Sequence, residues 1–137
     1  MLKRIHITIM AIIMLCWIIL PISAININNK ALCWENVSLI NGSISFIGTN
    51  GIYSMLIDGV NGVNRITANA TLYYRQQNGA WFEIPTEWSY DITDNYLSIN
   101  EDFNAISGFE YKVELNAIVY KDGYGEEISK TNIKICP

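Results

Sequence analysis

Residues 108–135 read GFEYKVELNAIVYKDGYGEEISKTNIKI, and the fold is decided there. Tyr111, Val113, Leu115, Ala117 and Val119 alternate with Lys112, Glu114, Asn116, Ile118 and Tyr120. A period of two marks a strand with one buried face, because successive side chains leave opposite sides of the backbone. Lys121-Asp122-Gly123-Tyr124-Gly125 supplies turn chemistry, with glycines free to take φ > 0. Thr131, Ile133 and Ile135 then resume the alternation. The stretch therefore predicts a hairpin of two long antiparallel strands, against which shorter upstream strands complete a core.

Working back along the chain, residues 65–77 give a second clear strand, with Ile66, Ala68, Ala70, Leu72 and Tyr74 on one face. Thr67, Asn69, Thr71, Tyr73 and Arg75 fall on the other. Asn78-Gly79 follows at once and predicts a type I′ hairpin, in which both central residues need φ > 0. Residues 80–84 are the return strand, ended by Pro85. Trp34, Val37, Leu39, Ile44 and Phe46 suggest a first strand, with Asn41-Gly42 as the point of interruption. Residues 52–57 are apolar on both parities, residues 58–64 read as a loop, and residues 96–99 as a short strand. Residues 100–107 read as a further loop. The tally is about seven strands, turn signals at short intervals and no convincing helix. That pattern is an all-β, immunoglobulin/fibronectin-III-like antiparallel sandwich, with a small closed barrel as the alternative. Tyr111, at the start of the penultimate strand, is placed as the tyrosine corner of such folds is.

The first 24 residues stand apart. Lys3 and Arg4 precede a run from Ile5 to Leu20 broken only by His6 and Thr8, and Pro21-Ile22-Ser23-Ala24 offers a breaker and a small residue for cleavage. This is the pattern of a secretory signal peptide, too short and wrongly flanked for a membrane span. Residues 25–137 are then a single exported domain, touching a membrane only through the signal peptide before cleavage. Removing Lys3 and Arg4 leaves seven basic residues against thirteen acidic, a net charge of −6. Nucleic acid and anionic membranes need clustered Lys and Arg, so neither is an expected partner. Ile-rich and Asn-rich usage fits an AT-rich bacterial genome.

With Cys16 in the signal peptide, Cys33 and Cys136 remain, an even number in an exported chain. A bridge between them closes a loop of about 100 residues, worth ~4–5 kcal/mol in the chain-entropy model. The expectation is a disulfide clamping the two ends of the domain.

The mature chain has no histidine, since His6 is the only one. That removes histidine-based triads and most zinc sites. Carboxylates cluster at Glu83, Glu87, Asp91 and Asp94 and again at Glu101 and Asp102, but nothing in their spacing fixes the separation a glycosidase needs. They read as solvated turns; no catalytic residue, metal or cofactor is expected. Aromatic side chains are the better hint. Trp81, Phe82, Trp88 and Tyr90 lie close together, and Tyr73 should lie across the hairpin from the first pair. On an outward face, Tyr73, Trp81 and Trp88 form a platform that can stack on sugar rings or anchor a protein. Trp81 and Phe82 must point opposite ways, so part of the set belongs to the core.

Leu72-Tyr73-Tyr74-Arg75, Asn78-Gly79-Ala80-Trp81, residues 108–113 and residues 126–131 together resemble a family of small exported Gram-positive (Clostridia-type) β-sandwich proteins of unknown function. The resemblance spans about residues 66–135, with Phe109-Glu110 where the family carries two tyrosines. It implies fold and export, but no activity and no site residues. The sequence thus leads to a secreted, non-catalytic interaction module whose partner is an extracellular protein or a glycan, the alternative being a carbohydrate-binding module built on the aromatic strip.

Overall fold

Alternating apolar side chains on eight segments are buried together either by closing one sheet on itself or by stacking two sheets face to face. The computed structural model describes residues 34–137 and has the stacked architecture. Its strands are β1 (Val37–Ile47), β2 (Asn50–Gly59), β3 (Val63–Arg75), β4 (Phe82–Ile84), β5 (Ser89–Ile92), β6 (Tyr96–Asn104), β7 (Glu110–Lys121) and β8 (Tyr124–Ile135). A three-stranded sheet, β1-β2-β6, faces a five-stranded one, β4-β3-β7-β8, with β5 also paired to β3. All pairings are antiparallel. β4 and β5 occupy the same edge of β3, so they form one edge strand interrupted at Pro85, which cannot donate to a ladder. Counted so, there are seven strands in fibronectin type III order, and the predicted fold class holds.

The β7–β8 hairpin closes through a two-residue turn, with φ of 52° at Asp122 and 81° at Gly123. This is the primed geometry that matches strand twist. Lys121 therefore faces Tyr124, and parity along β8 follows: Ile128 lies opposite Ala117 on the inner face. Ile133 and Ile135 consequently lie on the outer face, where they are 53% and 48% exposed. The apolar alternation that suggested a buried face at this end of the chain marks solvent-facing positions instead.

Other boundaries shift as well. β1 runs unbroken through Asn41-Gly42. The loop before β3 is shorter than predicted, and β6 extends to Asn104 through residues expected to be loop. After β3, the Gly79 N–H donates to the Gln76 carbonyl at 2.9 Å and only Asn78 of the pair takes positive φ, at 60°. The turn is displaced by one residue from the predicted type I′ hairpin, and Trp81 is left in the loop rather than in β4.

Between the sheets, Ile40, Ile44, Tyr53, Met55, Ile57 and Ile99 meet Ile66, Leu72, Val113, Leu115, Val119 and Ile128. The tyrosine corner is formed: the Ile106 N–H donates to the Tyr111 hydroxyl at 2.7 Å, and burial pushes that hydroxyl's pKa up. Tyr111→Phe keeps the ring and loses the bond. It is expected to cost about 1 kcal/mol, read as a fall in melting temperature of ~4–8 °C for a domain of this size.

β1 and β8 run side by side along one edge of the sandwich. The backbone N–H groups of Glu35 and Asn36 donate to the Glu126 carboxylate at 2.9 and 2.7 Å, and the Asn36 amide donates to the Val119 carbonyl at 2.9 Å. Further along, the Asn132 amide donates to the Gly42 carbonyl at 2.7 Å. Cys136 lies at the far end, fully buried as a thiol, with Sγ 3.8 Å from the Gly48 carbonyl.

This arrangement gives the predicted clamp no support. Cys33 itself lies outside the described residues. Bridged Cα atoms must come within about 4.4–6.8 Å, and the chain at Glu35 is tied to Glu126, ten residues of extended strand from Cys136. At ~3.4 Å per residue that is about 34 Å. Cys136 is therefore expected to react with a thiol reagent only on unfolding, and without prior reduction. A Cys136 that needs a reductant before it reacts would contradict this.

Candidate functional site

The outward residues of the five-stranded sheet form a set of rows read directly from the strand register. Thr67, Ile118 and Glu127 make one row; Asn69, Asn116 and Ser129 the next; Thr71, Glu114 and Thr131 a third; Tyr73, Lys112 and Ile133 a fourth; Arg75, Glu110 and Ile135 a fifth. Middle rows are short and polar, and the last two are long, aromatic or aliphatic.

Two of the three sequence-predicted platform residues meet at the large end. The Lys112 ammonium lies 4.2 Å from the Tyr73 ring centroid and 4.9 Å from that of Trp81. The Arg75 guanidinium lies 4.3 Å from the Trp81 centroid. Because Trp81 sits in the loop after β3, its indole folds across both cations, and each such contact contributes about 0.5–1 kcal/mol at exposed sites. Arg75 Nε is 2.5 Å from Glu110 and Lys112 Nζ 2.6 Å from Glu114. The cations are thus neutralised by carboxylates and held beneath the rings. Tyr73 and Trp81 remain half-buried, fixed in place on an outward face.

Trp88 is not part of this platform. Its ring stacks on Tyr53 at 5.9 Å with planes 10° apart and meets Phe103 at 6.3 Å, between the sheets. Small Ala68 and Ala70 on β3 leave it room; the Trp88 carbonyl accepts from the Ala70 N–H at 2.9 Å. Two extra residues in the β4–β5 interruption preserve parity, so Phe82, Ile84, Trp88, Tyr90 and Ile92 share one face while Trp81 takes the other. That even-odd difference is a sequence signal that separates the two tryptophans. Phe82 sits at the rim of the inner face against Tyr74, at 5.7 Å.

The clustered carboxylates are dispersed. Glu83 stands opposite Tyr73 on β4. Asp91 accepts a two-pronged bond from Arg65 at 2.8 and 2.7 Å, which holds its carboxyl below the usual range. Glu101 turns inward and accepts from the Tyr90 hydroxyl at 2.7 Å; burial first, then that bond, raises the Tyr90 pKa. Among the described residues no three carboxylates or other ligands converge as a metal site would require.

Sequence reasoning passed over the polar centre of the face. A hollow of about 460 Å³ lies there, lined by Thr67, Asn69, Asn116, Ile118, Glu127 and Ser129 among others. The side-chain bonds of this face join Arg65 to Asp91, Arg75 to Glu110 and Lys112 to Glu114. Among the described residues Asn69, Asn116 and Ser129 have no such partner, and all three are exposed. Chemically, the face offers amide and hydroxyl donors and acceptors beside a rigid aromatic wall. Comparison with protein-family models, with curated proteins and with solved structures finds no match to this chain.

Proposed function

We propose that this protein is an exported, non-catalytic β-sandwich that acts outside the cell as an interaction module, and that it binds through the outer face of its five-stranded sheet. One observation carries the reading: Tyr73 and Trp81 are held on that face by Lys112 and Arg75, away from the core. Folding alone gives no reason to order two large rings there, whereas binding surfaces use rigid aromatic side chains as anchors. Exposed Ile133 and Ile135 extend the same end of the face. The signal-peptide pattern supports the extracellular address.

The test is retention of the labelled, exported protein on the envelope of the cells that make it. Tyr73→Ala with Trp81→Ala is expected to lower retention about tenfold or more, the ratio given by ~1.4 kcal/mol. Its melting temperature should fall by ~4–8 °C for each ~1 kcal/mol of lost ring contact, which leaves the variant folded in the assay. Tyr96→Ala, on the outer face of the other sheet, should leave retention unchanged. Equal retention of all three proteins would sink the proposal, as would no retention of the wild type.

A further inference from the structure

We infer that the ligand of this face is an uncharged glycan chain lying along the strands, one sugar ring against Trp81 and Tyr73 and others over the hollow at Asn69 and Asn116. This rests on the proposal that the outer face is the binding surface, and it adds the chemical class of what binds.

A protein partner would bring apolar groups to the centre of the interface, where water is excluded and anchors cluster. Here the centre is the reverse. The row Asn69–Asn116–Ser129 crosses the two interior strands β3 and β7 and the edge strand β8 with its side chains exposed. Asn carries both donors and an acceptor, and Ser carries a hydroxyl that does either. A ligand that covers such a row without answering it leaves polar groups desolvated and unpaired, which is costly. Sugar hydroxyls both donate and accept, so they answer it. Glu127 beside the hollow adds a carboxylate acceptor.

Charge narrows the class. Arg65, Arg75 and Lys112 are each already paired with a carboxylate, and Glu83 and Glu127 stand exposed at the sides. A uronate or phosphate chain would meet like charge on this face, where among the described residues no unpaired cation stands to offset it. A neutral chain meets neither problem. Length follows from register: Asn69 and Tyr73 are four residues apart on β3, about 14 Å at ~3.4 Å per residue. Several pyranose rings cover that span and a single ring does not.

The test extends the envelope assay with two arms. The envelope is first digested exhaustively with protease; separately, soluble neutral oligosaccharides of β-1,4-linked glucose, xylose, mannose and N-acetylglucosamine compete for retention. Retention should survive protease and be competed by a hexasaccharide of at least one series, about tenfold better than by its disaccharide. Asn69→Ala with Asn116→Ala should weaken that competition by a similar factor without changing the melting temperature. Retention abolished by protease overturns the glycan inference while the binding face stands as a protein-binding one. Competition by none of the four series, or competition that the Asn variants leave unchanged, overturns it as well. Absence of wild-type retention on the untreated envelope removes both readings.

Discussion

Trp88→Ala is expected to lower the stability of the domain by about 3 kcal/mol, the lower end of the cost of deleting a core aromatic ring, because the partly buried indole packs against the core. The indole fills the space between the sheets, stacked on Tyr53 and edged by Phe103. Its neighbours cannot close over the void, because Tyr53 is anchored in the central strand β2 and Ala68 and Ala70 are already short. For a domain with ~5–15 kcal/mol in total, that loss is a large share. The melting temperature should fall by about 15 °C or more. Trp81→Ala, by contrast, removes an indole packed on two charged side chains at the surface and should cost about 1 kcal/mol. Thermal unfolding of both variants separates the two tryptophans. A Trp88→Ala protein as stable as Trp81→Ala would mean that Trp88 is a surface residue and that the platform is larger than described.

The same two residues show what was legible in the sequence and what was not. Composition grouped Trp81 and Trp88 because they are seven residues apart; parity divides them, and parity decides which is core. Strand β7 was readable throughout, since its inner face is apolar at every second position from Tyr111 to Val119. Strand β8 was not. Taking five residues, Lys121 to Gly125, as the turn leaves the return register open, and Ile133 and Ile135 then look like core. Only the two-residue turn at Asp122-Gly123 fixes them outward, since a one-residue slip would exchange the faces of the whole strand. Strand β6 was read short because Asn100-Glu101-Asp102 resembles a loop. Glu101 in fact takes an inward position among Leu97, Ile99 and Phe103, its carboxylate satisfied by Tyr90. The polar centre of the candidate site was invisible for another reason. Asn69, Asn116 and Ser129 lie far apart in the chain and become a row only through the pairing of three strands.

Gly51→Ala is expected to destabilise the domain by about 1–3 kcal/mol, although the change adds one methyl group to a strand. Gly51 lies in β2 directly between Phe46 on β1 and Phe103 on β6, with all three facing inward. A Cβ at this position would stand far inside van der Waals contact of two carbons of the Phe103 ring, so the ring must move. It has nowhere easy to go. Phe103 meets Phe46 edge-on at 6.0 Å and Tyr111 at 5.3 Å, and Trp88 stands on its remaining side. Tyr111 in turn is held by its bond to the Ile106 N–H, so displacement of Phe103 would load the tyrosine corner as well. The absence of a side chain at Gly51 is thus what lets a phenyl ring lie flat over the strand and close this end of the sandwich. The origin of the cost is testable with a cycle of four proteins: wild type, Gly51→Ala, Phe103→Leu and the double variant. Phe103→Leu should be destabilising alone through lost ring contacts, yet should relieve the overlap when Ala occupies position 51. The double variant is then less destabilised than the sum of the singles by about 0.5–3 kcal/mol, the range for residues in contact. Additive losses in denaturant unfolding would show that the methyl group is accommodated elsewhere and that Phe103 does not depend on the glycine beneath it.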